Sequence, residues 1–115
     1  MDSKQLTDDL KRAARDLGFE LAGVCPAVTP TGFGRFREWL ASGYAREMHY
    51  LAERGAGYEH PASVLAGVRS VVMLAMNYKH QPAARTAPGQ GRVSRYAWGE
   101  ADYHDIIHER LKRLS

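Results

Sequence analysis

Apolar positions recur along the chain with a period that changes repeatedly, and the changes mark the elements and the loops between them. Leu6, Leu10, Ala13, Ala14 and Leu17 fall at helical spacing from a start near Ser3 or Thr7, and Gly18 supplies the stop. From Phe19 to Cys25 the pattern turns to alternation, Phe19, Leu21 and Gly23 against Glu20, Ala22 and Val24, which predicts a strand ended by Pro26 and Pro30. Between Thr31 and Ser42, Phe36, Trp39 and Leu40 form one face of a second helix closed by Gly43, and Arg46 to Arg54 carries Met48, Leu51 and Ala52 on a short third. Glycines and a proline mark Gly55 to Pro61 as a loop, with one helical turn over Ala62 to Leu65 before Gly67.

Val71-Val72-Met73-Leu74-Ala75-Met76 is the most apolar run, and the absence of any charge in it predicts a strand covered on both faces. The prolines and glycines of Lys79 to Gly91 mark a long surface loop. Arg92 to Ala97 reads as extended. Asp102 is placed to cap a last helix on which Tyr103, Ile106, Ile107, Leu111 and Leu114 share a face. No internal repeat is visible, and the alternation of helices with short strands predicts an α/β fold with a small sheet flanked by amphipathic helices.

Composition narrows the class. The 115 residues are 44% hydrophobic and 25% charged, an ordinary balance for one globular domain or part of one. No apolar run approaches the roughly 18 residues of a membrane span and the first residues are polar, so neither a span nor a secretory signal is expected, and a cytoplasmic location is the default. Sixteen Lys and Arg against thirteen Asp and Glu give +3, which permits a nucleic-acid partner without demanding one. Twelve of those cations are Arg, the side chain suited to bidentate contacts with phosphate or carboxylate. The single cysteine, Cys25, can form no internal disulfide and no metal site unaided; beside an apolar strand it is expected to be a buried structural thiol.

Candidate chemistry concentrates between Arg92 and His104, at a junction of two elements where sites are commonly built. Arg92 and Arg95 straddle Ser94 and precede Tyr96 and Trp98. That order suits gripping phosphates and stacking a base, and equally suits a rim whose aromatics pack inward. Asp102 and His104 form either an acid–base pair or a helix cap beside an exposed imidazole; two positions apart at a helix start, their side chains are expected to diverge. His104 and His108 have the spacing of a helical metal pair but lack further ligands. Tyr44, Tyr50 and Tyr78 read as core or rim residues, and Asn77 ends an apolar strand, where ligands gather in open α/β sheets.

Five segments in order resemble the epoxyqueuosine reductase family. They are the opening helix with Leu17-Gly18-Phe19-Glu20-Leu21-Ala22-Gly23-Val24, the tryptophan-bearing Phe36 to Gly43, Glu47-Met48-His49-Tyr50-Leu51, Val64 to Val72 with Asn77-Tyr78, and Arg95-Tyr96-Ala97-Trp98-Gly99-Glu100-Ala101-Asp102-Tyr103-His104. The resemblance implies that the chain is the N-terminal domain, partly nitroreductase-like, that helps enclose a corrinoid. It implies a complete enzyme that reduces epoxyqueuosine to queuosine in tRNA, with cobalamin as the reactive centre and two 4Fe-4S clusters delivering electrons. The cluster domain would lie outside this chain. Ser94, Arg95 and Tyr96, with Tyr58 and Asn77, are the residues it places at the corrinoid wall. Tyr58 departs from the family, which carries Arg at that position three residues before the proline matching Pro61. The proton-donating aspartate belongs to an Asp-Thr-Gly motif expected beyond Ser115, so no catalytic residue is assigned here, and the chain is expected to be monomeric and inactive alone. A free-standing module that binds a corrinoid or RNA without catalysis is the alternative, and a nonfunctional remnant a third possibility.

Overall fold

The computed structural model describes residues 2–79 and 81–115. His80, inside the loop expected over Lys79 to Gly91, lies outside the described residues. The chain divides into two compact units, Met1–Gly23 with Met73–Ser115, and Val24–Val72. Helices alternate with a two-stranded antiparallel sheet, so the architecture is an α/β mixture, as expected.

In the first unit, α1 spans Ser3–Asp16, begun by the Asp2 carboxylate accepting from the Lys4 N–H. Its end is a Schellman turn. Gly18 takes φ +93°, the Gly18 N–H donates to Arg15 O at 2.9 Å and the Phe19 N–H to Ala14 O at 3.0 Å. That motif brings together the residues at either side of the turn, and these are the most buried ones in the unit: Ala14 is 0% and Phe19 3% exposed. Phe19 is therefore the hydrophobic lock of the helix end, and β1 starts later than its alternation predicted, at Leu21–Pro26. The last helix, α5, spans Tyr103–Leu114 and starts on Asp102, as the sequence indicated.

The second unit holds α2, Phe33–Ala41, whose Phe33, Phe36 and Trp39 recur at three-residue spacing with ring centroids 6.1 Å apart in each successive pair. The expected third helix over Arg46 to Arg54 is cut short. Arg46 adopts φ +52°, which a right-handed helix cannot contain, and only α3, Tyr50–Glu53, forms. The predicted loop from Gly55 is instead a helix, α4, Gly55–Glu59. Its carbonyl at Ala56 accepts from Ser63 Oγ at 2.6 Å, and its Tyr58 ring meets Phe36 edge-on at 5.6 Å, so bonding and packing outweigh the weak helix propensity of two glycines. A 3-10 turn follows at Pro61–Ser63.

The strand β2 spans Ser70–Ala75 and pairs with β1: Glu20 N–H donates to Ala75 O at 2.9 Å and Ala27 N–H to Arg69 O at 3.0 Å. Coverage on both faces, inferred from its unbroken apolar run, is not found; Val72 is exposed and Met73 is 62% exposed. A buried reading of an apolar run presumes layers on both sides, and a two-stranded sheet does not supply them. Cys25, expected to be buried, is exposed for the same reason, its Sγ lying 3.7 Å from Val71 O.

Candidate functional site

Beyond β2 the chain turns at Asn77, whose Oδ1 accepts from the Lys79 N–H at 2.8 Å. Asn77 is thus a turn residue two positions past the strand. The rule that ligands collect at strand ends belongs to parallel sheets, and this sheet is antiparallel, so that argument for Asn77 lapses. Residues 92–94, expected to be extended along with their successors, lead into a 3-10 turn at Arg95–Ala97 that begins at Ser94 and is closed by the Ala97 N–H on Ser94 O at 3.0 Å.

This turn and the start of α5 position the aromatic side chains. Tyr96 meets Tyr103 edge-on with centroids 5.6 Å apart, and Tyr103 stacks on His104 at 4.1 Å. Together with Met76, Tyr78 and Ile107, Tyr96 and Tyr103 line a cleft of about 340 Å³. A second hollow of about 230 Å³ adjoins it, sharing Met76, Tyr78, Tyr96 and Tyr103 and adding Asn77, Gly18 and Arg110. Tyr96 and Tyr78 stay 53% and 56% exposed. Arg95 lies over the Trp98 ring at 5.1 Å, and Trp98 Nε1 donates to Val93 O at 2.9 Å. The two readings of this segment thus divide by residue: Trp98 is tied into its own loop, while Tyr96 faces the cleft.

Of the predicted residues, Asn77 and Tyr96 come to one hollow, and Ser94 and Arg95 belong to the turn that presents Tyr96. Tyr58 belongs to the other unit, where it lines an apolar hollow of about 390 Å³ with Pro30, Phe33, Phe36 and Leu51. Sequence reasoning missed Arg110. Its Nη1 lies 2.8 Å from Met76 Sδ, and a Cβ on Gly18 would stand 2.7 Å from the same nitrogen. The signal was there: Arg110 falls four residues after Ile106 and three after Ile107, a cation within the apolar stripe of α5.

Asp102 and His104 were expected to diverge, and they do not. The Asp102 Oδ1 accepts from the His104 N–H at 2.9 Å and lies 3.0 Å from its Nδ1. The backbone N–H first, and then the imidazole, hold the Asp102 carboxyl below its ordinary value. Both side chains are exposed, so the pair caps the helix in water rather than in a pocket. Among the described residues no three His, Cys, Asp or Glu side chains gather as a metal site.

Residues 59–115 match the family model described as "Epoxyqueuosine reductase QueG, DUF1730". The epoxyqueuosine reductase of Vibrio cholerae is 36% identical across 99% of this chain. The chain belongs to the epoxyqueuosine reductase family. The epoxyqueuosine reductase of Gloeobacter violaceus is 40% identical over 92% of the chain, and that of Escherichia coli 33% identical over 99%. The chain spans about a third of the length of these curated relatives, at 32%, 33% and 31% of each. No solved structure matches it. The family span from residue 59 onward contains β2, the 3-10 turn and α5, hence every element lining the Tyr78–Tyr96–Tyr103 cleft. No helix among the described residues is long and apolar enough to cross a membrane.

Proposed function

We propose that this chain forms the corrinoid-facing N-terminal domain, partly nitroreductase-like, of an enzyme that reduces epoxyqueuosine to queuosine in tRNA. The observation that carries the reading is the open tyrosine cleft, built from the segment that matches the family. A corrinoid is a broad apolar macrocycle fringed with amides. An aromatic floor of Tyr78, Tyr96 and Tyr103 with polar groups at its edge suits that chemistry. On this reading Tyr96 contacts the ring face, while Ser94, Arg95 and Asn77 offer a hydroxyl, a guanidinium and an amide to its periphery. Tyr58 enters this proposal through its family position alone. When bound, cobalamin supplies the reductive chemistry; the residues here hold and orient it and keep water from one side. A 4Fe-4S cluster takes about four thiolates, and with one cysteine this chain supplies neither of the two clusters the reaction calls for. The cytoplasm, where tRNA is modified, is the compartment proposed.

Titrating hydroxocobalamin into the purified chain while recording its visible spectrum tests this. A saturable spectral change is expected, weakened about tenfold, equivalent to about 1.4 kcal/mol, by Tyr96→Ala. Tyr58→Ala in the same titration tests that position. No spectral change at any ratio would remove the corrinoid assignment, and turnover of epoxyqueuosine tRNA by the chain alone would contradict its expected inactivity.

A further inference from the structure

Arg110 is a half-buried cation on α5 that takes part in no ion pair among the described residues. Its Nη1 donates to Met76 Sδ at 2.8 Å, and a thioether is a weak acceptor. The end of α1 accounts for where this charge lies but not for its donors. A helix C-terminus attracts a cation, and a Cβ on Gly18 would stand 2.7 Å from Nη1 and 3.2 Å from Cζ, so the guanidinium lies against that end of the helix. The carbonyls there are already taken: Ala13 O, Ala14 O and Arg15 O accept from the N–H groups of Leu17, Phe19 and Gly18 at 3.1, 3.0 and 2.9 Å. A guanidinium carries five donors, so most of those of Arg110 remain uncommitted. A charge partly withdrawn from water is costly until an acceptor meets it.

Those donors border the hollow of about 230 Å³ that Arg110 lines with Gly18, Met76, Asn77, Tyr96 and Tyr103, and no Asp or Glu among the described residues lines it. Asn77 spends its Oδ1 on the Lys79 N–H, which leaves its NH2 group as the end able to meet a ligand. Arg110 and Asn77 thus both offer donors, and the walls beside them are aromatic, Tyr96 and Tyr103 standing edge-on at 5.6 Å. A guanidinium fork matches the two oxygens of a carboxylate, and aromatic walls suit a flat apolar body. The volume, below that of sites for drug-sized ligands, limits that body to a single ring.

We propose that this hollow binds a small aromatic carboxylate, with Arg110 on its two oxygens and its ring against Tyr96 and Tyr103. The occupant follows from the donors, the walls and the volume, and not from the corrinoid assignment.

Benzoate is the probe. Its titration at constant ionic strength into the chain carrying isotope-labelled methionine methyls is followed by NMR at Met76, with benzyl alcohol as the uncharged control. The expected result is a saturable shift of the Met76 signal, with benzyl alcohol weaker by about tenfold or more, as for hydrogen bonds to a charged partner. Arg110→Gln should weaken benzoate by a similar factor, and Arg110→Lys, which keeps the charge without the fork, by less. Asn77→Asp keeps the test independent of the Arg110 packing: its carboxylate still accepts from the Lys79 N–H while its charge repels benzoate, so binding should be lost. Equal affinity for benzoate and benzyl alcohol, or benzoate affinity unchanged in both Arg110→Gln and Asn77→Asp, would overturn the proposal. Benzoate binding that follows Arg110 in a chain that ignores hydroxocobalamin would sustain this site while sinking the corrinoid reading; a cobalamin response without any benzoate shift would do the reverse.

Discussion

Gly18 and Asp102 show how single residues set the ends of helices here. Gly18 sits at φ +93° with Arg110 Nη1 where a Cβ would need room. Gly18→Ala is therefore expected to destabilise the chain by about 1–2 kcal/mol, read from denaturant melts. Arg110→Ala should relieve the steric part but not the backbone part. Asp102 carries a pH signature. Its folded carboxyl titrates below its unfolded value, so its contribution is fully present above the unfolded value and is lost as pH falls through the folded one. Melting temperatures taken between neutral and strongly acid pH should fall less steeply for Asp102→Asn than for the wild type, since the amide still caps but does not titrate. Both residues were legible in the sequence, because a cap and a stop depend on neighbours a few positions away. Cys25 was not, because burial depends on what another segment lays over it.

At the scale of elements, the Schellman turn joins α1 to β1 through Phe19 and Ala14. Phe19→Ala removes the one large side chain among the described residues that is nearly fully buried, and a loss of about 3 kcal/mol is expected by chemical denaturation. Such a loss is a large share of the stability of a small domain, so the variant should melt broadly. The periods of α1, α2 and α5 were readable because each carries an apolar stripe within its own sequence. Two elements were misjudged for local reasons that periodicity does not carry. Arg46 breaks a helix by adopting a positive φ, and α4 forms over glycines because Ser63 and Phe36 hold it in place.

Across the whole molecule, the described residues bury few large side chains, and apolar ones remain exposed on both units, Leu21, Leu65, Val72 and Met73 among them. A two-stranded sheet has little capacity to cover its own faces. The purified chain is expected to bind an apolar fluorescent dye in its native state. Met73→Lys should reduce that signal without lowering the melting temperature, because Met73 is 62% exposed and contributes little burial. A dye signal unchanged by Met73→Lys would mean that the apolar surface seen by the dye lies elsewhere.

The sequence by itself determined the family, the helix faces, the Asp102 cap, the Gly18 stop and the lone cysteine, since each is a matter of order, spacing or residue type. Tertiary structure decided which apolar runs are covered and which side chains meet. It left β2 exposed, set Tyr96 against Tyr103 and brought Arg110 over Gly18. The physical reason is the range of the interactions. Caps, turns and helical periods are fixed within about one turn of chain, whereas burial and clefts require segments tens of residues apart to arrive together, and no local pattern encodes which ones do.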